Sequence, residues 1–138
     1  MNLDSANGRM IAGMMAVIAQ WEAETTRERV TRALEARRAQ GLPTGGGKRP
    51  FGYEADFMTV RPEEARVIRE VARRVLRGES LRGIAGDLDA RGIRPTAGAK
   101  RWKPTDLGGI ASSPRVAGVA SRQGKPVGKA AWDPILDR

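Results

Sequence analysis

The sequence predicts a mainly α-helical protein, with one long N-terminal helix, a flexible glycine-rich linker and a small helix-turn-helix-like domain that ends near a short β-hairpin. Three observations support this prediction: helical periodicity that continues to about residue 40, three consecutive glycines at 45–47, and short amphipathic segments between helix-start and helix-stop residues. The predicted boundaries are 1–40 for the long helix, 41–50 for the linker, 51–118 for the domain, and 119–138 for the hairpin and tail.

The long helix is predicted over Ser5–Gln40 because its apolar residues recur with a period close to 3.6. Ser5 or Asn7 can cap its start, and Gly41 followed by Pro43 ends it. The first half of this segment is apolar and the second half is basic, so we expect the two halves to act differently. The periodic positions are Ile11, Met14, Met15, Ile18, Trp21, Val30, Ala33 and Leu34.

Three shorter helices are predicted in the domain. Pro62 opens the first and Gly78 stops it, Ser80 caps the second and Gly92 ends it, and Pro104–Ser112 forms the third. A helix, a basic turn and another helix suggest a helix-turn-helix variant, although any three-helix bundle gives a similar pattern. The side chains expected to be buried are Ala65, Ile68, Val71 (or Ala72), Val75 and Leu76 in the first helix, and Leu81, Ile84, Ala85 and Leu88 in the second.

Two short segments near the C-terminus, Val116–Ala120 and Lys125–Val127, are separated by Arg122-Gln123-Gly124. Residues of this kind between two apolar stretches are typical of a small hairpin. We therefore expect two antiparallel strands after the third helix of the domain.

The composition excludes several classes of function. The chain contains no Cys and no His, which excludes the usual zinc site, disulfides and imidazole catalysis. The Gly-rich segment departs from the phosphate-loop pattern, because Leu42 stands where a Gly is needed and Arg49 where Ser or Thr is needed. We expect no metal, no cofactor and no small-molecule substrate. The apolar stretch Met10–Ala19 is too short to cross a bilayer and lacks a basic leader, so a cytoplasmic protein without a membrane partner is expected.

Basic residues dominate the charge of the chain. The net charge is +9, and of the 25 basic residues only five are Lys. Residues 27–49 carry seven basic and two acidic side chains, and residues 95–138 carry eight basic and three acidic ones. Such clustering indicates a polyanionic partner, usually nucleic acid, although a passive basic surface has the same composition.

Two sets of motifs resemble the large serine recombinases, which are resolvase-related integrases and transposases. The first set, similar to the long helix that closes their catalytic domain, is Gly8-Arg9, Ala19-Gln20-Trp21-Glu22 and Arg27-Glu28-Arg29. The second set, similar in order and spacing to their recombinase domain, is Pro50-Phe51-Gly52-Tyr53, Pro62-Glu63-Glu64-Ala65, Gly78, Ser80-Leu81, Ile84-Ala85, Leu88, Gly92-Ile93, Gly98, Trp102, Ser113-Pro114 and Ala117-Gly118.

The sequence departs from the family pattern in several places. Ala23 stands where the family usually has Arg, and Ala111, Ser113 and Val116 replace the usual Leu, Asn and Tyr. The Tyr-x-Arg-x-Ser type of motif that carries the nucleophilic serine is absent, as is the Cys-bearing zinc ribbon. We therefore expect this chain to be part of a longer recombinase and to be inactive alone.

The resemblance implies DNA strand exchange through a phosphoseryl link, double-stranded DNA as the partner, and a homodimer or tetramer of the full protein. Glu28 and Arg29 match family positions that line or support the catalytic site. The alternative is a solvated helix face with charges three and four residues apart. The expected DNA contacts, from the resemblance and the charge pattern, are Arg32, Arg37, Arg38, Lys48, Arg49, Arg94, Lys100, Arg101, Lys103 and Thr105.

Two other classes of function remain open. One is a stand-alone basic helix-turn-helix regulator that dimerises through its long helix. The other is a helical scaffold that binds protein rather than DNA. Loss of DNA binding together with tight self-association would select the scaffold.

Overall fold

The computed structural model describes residues 5–96 and 98–137, and this part of the chain is mainly helical, as predicted. Its elements are α1 (Ala6–Ala39), α2 (Pro62–Leu76), α3 (Leu81–Ala90), α4 (Pro104–Ala111), a 3₁₀ turn (Pro114–Ala117), β1 (Val119–Arg122) and β2 (Lys125–Lys129). The chain divides into two compact units, one ending at Ala36 and the other beginning at Arg37. Residues 1–4 of the predicted helical segment and residue 138 of the predicted tail lie outside the described residues.

Helix α1 confirms the predicted long helix within one residue at each end. Its predicted cap is present, because Ser5 Oγ accepts a hydrogen bond from the Gly8 amide at 3.0 Å. The apolar side chains of its first half are exposed, from 42% for Ile11 to 67% for Val17. Among the described residues of the first unit, no second element covers them. In the described part of the chain, no helix combines the length and the apolar character needed to cross a membrane.

The core of the second unit forms where α2, α3 and α4 meet. Six buried side chains from α2 and α3 were predicted from their helical spacing: Ala65, Ile68, Val71, Ile84, Ala85 and Leu88. The prediction was wrong for Val75 and Leu76, which are 39% and 87% exposed. Periodicity places both residues near the apolar stripe, but in the last turn of α2 their side chains lie at the surface.

The α2–α3 corner is held by caps and ion pairs. Ser80 Oγ accepts the Gly83 amide at 3.1 Å, as the sequence predicted. Arg74 pairs with Glu70 and Asp87, at 3.2 and 2.7 Å, and with Glu79. The Arg74 guanidinium is therefore occupied by three carboxylates, which ties the end of α2 to α3.

Residues after α4 also belong to this core. Trp132 and Ile135 are 7% and 3% exposed, and the amides of Ile135 and Leu136 both donate to the Val116 carbonyl at 2.8 Å. At the other end of the unit, Gly52 packs against Ile135, so that a Cβ at position 52 would lie 2.7 Å from Ile135 Cδ1. The core thus joins segments from both ends of the second unit.

The predicted hairpin is present, but its first strand begins later than expected. β1 and β2 are antiparallel, with Val119 opposite Lys129 and a register shift after Ala120. Val116 was expected in a strand and lies instead in the 3₁₀ turn. Pro114 favours a helical φ at the start of this turn, and Gly118 ends it with a left-handed φ of 68°.

The helix-turn-helix arrangement is not confirmed. α3 ends at Ala90 and α4 starts at Pro104, so the connection runs from Arg91 to Lys103, whereas the turn of that motif has about three or four residues. Within this connection, Ala97 lies outside the described residues. The three helices instead form a small bundle with a long basic connection.

Candidate nucleic-acid interface

The connection between α3 and α4 is anchored by Trp102. Its indole Nε1 donates to the Ile93 carbonyl at 2.8 Å, and its backbone amide donates to Asp89 Oδ1 at 3.0 Å. The ring is 5% exposed and packs edge-on against Phe51, with 5.0 Å between ring centroids. Arg101 and Lys103 flank this fixed residue and are exposed. Their backbone positions are therefore set by the core.

Three predicted cations lie in the connection before Trp102. Arg94 donates to the carbonyl of Lys100, which brings the two ends of this stretch together. Arg94 and Arg101 line one open groove with Asp89. The structure thus places Arg94, Lys100 and Arg101 on one exposed surface, where positive charge exceeds negative charge.

Lys103 and Thr105 lie at the start of α4. Lys103 is the N-cap residue, with an extended backbone and no side-chain capping bond, and Pro104 is the first helical residue. Both Lys103 and Thr105 are exposed, and Asp106 adds one acidic group in the same turn. A cation and a hydroxyl at a helix N-terminus suit phosphate oxygens as well as the edges of bases.

The two predicted linker cations have different surroundings. Lys48 is exposed, whereas Arg49 forms a bidentate pair with Glu64, both N–O distances being 2.7 Å, and also donates to the Tyr53 carbonyl at 2.6 Å. The hydrogen bonds that Arg49 donates to Glu64 raise the pKa of Arg49. No local sequence pattern pairs Glu64 with a residue 15 positions earlier, so this pairing was missed. Arg49 holds the linker end against α2.

Helix α1 carries the other predicted residues. Arg32 pairs with Glu28 at 3.0 Å, and the two side chains are 76% and 66% exposed. Arg29 is exposed as well. These three residues belong to the first unit, while Arg37 and Arg38 belong to the second, where Arg37 Nε donates to the Pro43 carbonyl at 3.1 Å. Within the described ranges, no group of three or more acidic side chains could hold a metal ion.

Arg115, in the 3₁₀ turn, was not among the predicted contacts. The Arg115 guanidinium lies 4.1 Å from the ring centroid of Trp132 and 5.4 Å from that of Tyr53. Its Nη1 donates to the Phe57 carbonyl at 2.8 Å, and burial lowers its pKa. No local pattern marks this residue, because Phe57 and Tyr53 precede it by 58 and 62 positions.

Comparisons with known proteins match both units. The family profile described as "Recombinase" matches residues 62–138, and the one described as "Resolvase, N terminal domain" matches residues 1–42. A solved structure described as "Crystal Structure of a LSR-DNA Complex" superposes with a TM-score of 0.64 at 20% identity, covering 79% of this chain and 34% of that one. The chain therefore spans about a third of that protein, and at this identity the likeness concerns the fold. No curated protein is significantly similar in sequence.

Proposed function

The chain belongs to the Recombinase family, whose profile matches more than half of its residues, and we propose that it binds duplex DNA during site-specific recombination. The residues from Arg37 onward form the DNA-binding part. The second half of α1 carries Glu28 and Arg29, which support the strand-exchange site of a full-length recombinase. In that protein, α1 lies between subunits of a dimer or tetramer.

The observation that supports this proposal is the rigid cationic surface around Trp102. Its exposed cations are Lys100, Arg101 and Lys103, two of which are direct neighbours of the buried indole. Duplex DNA carries about one negative charge per 1.7 Å of axis, so closely spaced cations on a fixed backbone match it well.

The proposed contacts fall into two groups. Arg38 and Lys48 lie around the linker and neutralise phosphates or enter the minor groove. Lys103 and Thr105 begin α4, where they reach the edges of bases in the major groove. Arg49 has a secondary role in DNA binding, because its guanidinium is already paired with Glu64.

The first prediction separates these two groups. Replacing Arg38 or Lys48 by Ala should weaken binding to all duplexes alike and reduce the salt slope by about one unit per residue, because phosphate contacts act through counterion release. Lys103→Ala and Thr105→Val should change the preference between sequences, by about 1–3 kcal/mol per lost base contact. The measurement is fluorescence anisotropy, at several salt concentrations, on a mixed-sequence duplex and on a site selected by the wild-type protein from random duplexes.

Arg66→Ala on the exposed face of α2 is the matched control, because it removes one charge from a surface that the proposal leaves out. The assignment of grooves is reversed if the Arg38 and Lys48 variants change sequence preference and the α4 variants change only the salt slope. The DNA-binding proposal itself is contradicted if the wild-type protein has no measurable affinity for any duplex.

The second prediction is that this chain alone does not cleave DNA. The Tyr-x-Arg-x-Ser type of motif is absent, and there is no His or Cys that could act in its place. Incubation with supercoiled plasmid carrying the selected site should leave the plasmid intact, without a covalent protein–DNA adduct on a denaturing gel. A reproducible adduct, mapped to any serine of this chain, would contradict the prediction.

A further inference from the structure

We propose that Arg115 forms a binding site for a backbone phosphate of duplex DNA, in a groove beside the first turn of α4. Pro50, Phe51, Thr105 and Ser113 line this groove together with Arg115. This inference rests on the DNA binding proposed above and adds to it a residue outside both predicted groups of contacts. It follows from the contacts that hold the Arg115 side chain and from the guanidinium nitrogens that have no acceptor in the protein.

The Arg115 side chain is fixed by aromatic rings. Its guanidinium carbon lies 4.1, 5.4 and 6.0 Å from the ring centroids of Trp132, Tyr53 and Phe57. Its backbone is fixed too, because the Tyr53 hydroxyl and the Trp132 indole both donate to the Arg115 carbonyl, at 3.1 and 3.0 Å. Such a guanidinium keeps one orientation before any ligand binds, so little side-chain entropy is lost on binding.

The charge of Arg115 is not matched by any acid within reach. In residues 5–96 and 98–137, no carboxylate oxygen lies within 4.0 Å of its nitrogens, whereas Arg49, Arg74 and Arg91 each have carboxylate partners. Its one protein acceptor is the Phe57 carbonyl, which takes a bond from Nη1. In this part of the chain neither Nε nor Nη2 donates to a protein acceptor, and neither atom is fully buried. A half-buried guanidinium with two free donor atoms suits a bidentate phosphate.

The groove supplies further donors for phosphate oxygens. Thr96 and Ser113, which both carry hydroxyl groups, line it, and the Ser113 oxygen already accepts the Arg115 amide at 3.3 Å, which leaves its own proton free to donate. Thr105 also belongs to the start of α4, so the groove is continuous with the proposed DNA surface. A residue with a rigid guanidinium, in a groove that hydroxyl-bearing residues also line, is better suited to the DNA backbone than to the base edges, which extended side chains reach.

Asp106 provides an independent test, because its carboxylate lines the same groove. If a phosphate occupies the groove, the negative charge of Asp106 opposes binding. If Asp106 instead accepts a bond from a base amino group, its charge helps binding and selects sequence. Removal of this charge therefore has opposite effects under the two modes of contact.

The first experiment compares Arg115→Gln with Arg66→Gln, in the full 138-residue chain, on a fluorescently labelled mixed-sequence duplex. Arg115→Gln should weaken binding by about 10-fold or more, since a charge-assisted bond is lost, while the exposed Arg66 change should have a much smaller effect. Arg115→Lys, which keeps the charge but not the fork, should give an intermediate loss. Thermal melting of each variant checks that the fold is kept.

The second experiment compares Asp106→Asn with Glu63→Gln, which removes a first-turn acid from α2 and thus matches the effect on a helix dipole. Asp106→Asn should tighten binding several-fold on all duplexes, and Glu63→Gln should leave it nearly unchanged. This pair keeps the inference testable even if Arg115→Gln does not fold.

The possible results distinguish the inference from the function on which it rests. If the wild-type protein does not bind any duplex, the proposed function fails. If it binds, but the Arg115 variants behave like Arg66→Gln, then Arg115 is a structural residue and the inference is wrong. Weaker, sequence-dependent binding by Asp106→Asn would also overturn the inference, in favour of a base contact.

Discussion

Arg49 and Glu64 show how a basic residue can serve the fold rather than a ligand. Burial raises the pKa of Glu64, but the hydrogen bonds from Arg49 and Gly52 and the nearby positive charges outweigh this effect and hold it below its ordinary value of 4.5. The side chains are only 24% and 16% exposed. Loss of Glu64 therefore leaves the largely buried Arg49 guanidinium without its bidentate carboxylate partner.

We predict that Glu64→Gln destabilises the protein by about 2 kcal/mol at neutral pH, because the Arg49 guanidinium loses its ionic partner. The native pKa of Glu64 is below its unfolded value, so the folded state binds fewer protons. The stability contributed by the pair is therefore fully present above pH 4.5 and is lost as the pH falls through the lowered native pKa. Urea unfolding at a series of pH values measures both effects.

Glu63→Gln is the control for this prediction, since Glu63 is exposed and adjacent in the sequence. The difference in unfolding free energy between wild-type protein and Glu64→Gln should shrink below pH 4.5, while the control difference stays small throughout. A Glu64 difference that does not change between neutral and acidic pH would contradict the ionic role of the pair.

Among the elements, α1 has the most unusual surface. Met10, Met14 and Met15 are each 59% exposed, and Trp21 is 64% exposed. An apolar face of this extent on a helix is typical of an interaction surface. In the proposed function this face packs against other parts of a recombinase or a second copy of the chain, and the scaffold alternative also depends on it.

We predict that the protein self-associates through this face and that Met15→Asp weakens the association by at least about 10-fold, since a charge would be placed in an apolar contact. Sedimentation equilibrium of both proteins measures the change. Gln20→Asp adds the same charge on the polar side of the helix and should have little effect. A monomeric wild-type protein at high concentration would refute the prediction. Tight association without DNA binding would favour the scaffold.

α4 combines a local and a long-range role. Its start carries the exposed Lys103 and Thr105, while Leu107 is 2% exposed and anchors the helix in the core. Because α4 is short, its orientation depends on that anchor and on Trp102 rather than on its own helical stability. The proposed contacts therefore need an intact core, and melting of every α4 variant has to accompany its binding curve.

At the scale of the whole molecule, the C-terminal residues complete the core of the second unit. Ile135 is 3% exposed, its amide donates to the Val116 carbonyl, and its own carbonyl accepts Arg69 Nε at 3.0 Å. The tail thus links the 3₁₀ turn to α2. The same region supplies Trp132, over which the Arg115 guanidinium lies.

We predict that Ile135→Ala destabilises the second unit by about 2–4 kcal/mol, the usual effect of creating a cavity in a core. Val127→Ala, at a position that is 51% exposed on β2, should change stability by less than about 0.5 kcal/mol. Urea denaturation followed by tryptophan fluorescence measures both. Equal effects of the two substitutions would show that residues 130–137 do not contribute to the core in solution.

The helices, their ends and the family were predictable from the sequence. Helix boundaries depend on neighbours within about four residues, and Ser5, Pro62, Ser80 and Gly92 act at this range. The resemblance to large serine recombinases is confirmed, because motifs in register reflect a shared fold even at low identity. The candidate DNA contacts remain predictions, since a charge pattern gives the positions of cations and not their partners.

Pairing and burial over long distances came from the three-dimensional structure alone. Arg49 meets Glu64 across 15 residues, and Arg115 meets Phe57 across 58. The exposure of Leu76 likewise depends on where the neighbouring elements end. Such contacts follow from the path of the whole chain, which helical periodicity and local charge do not encode. Tertiary packing therefore decides which arginines pair with carboxylates in this fold and which, like Arg115, do not.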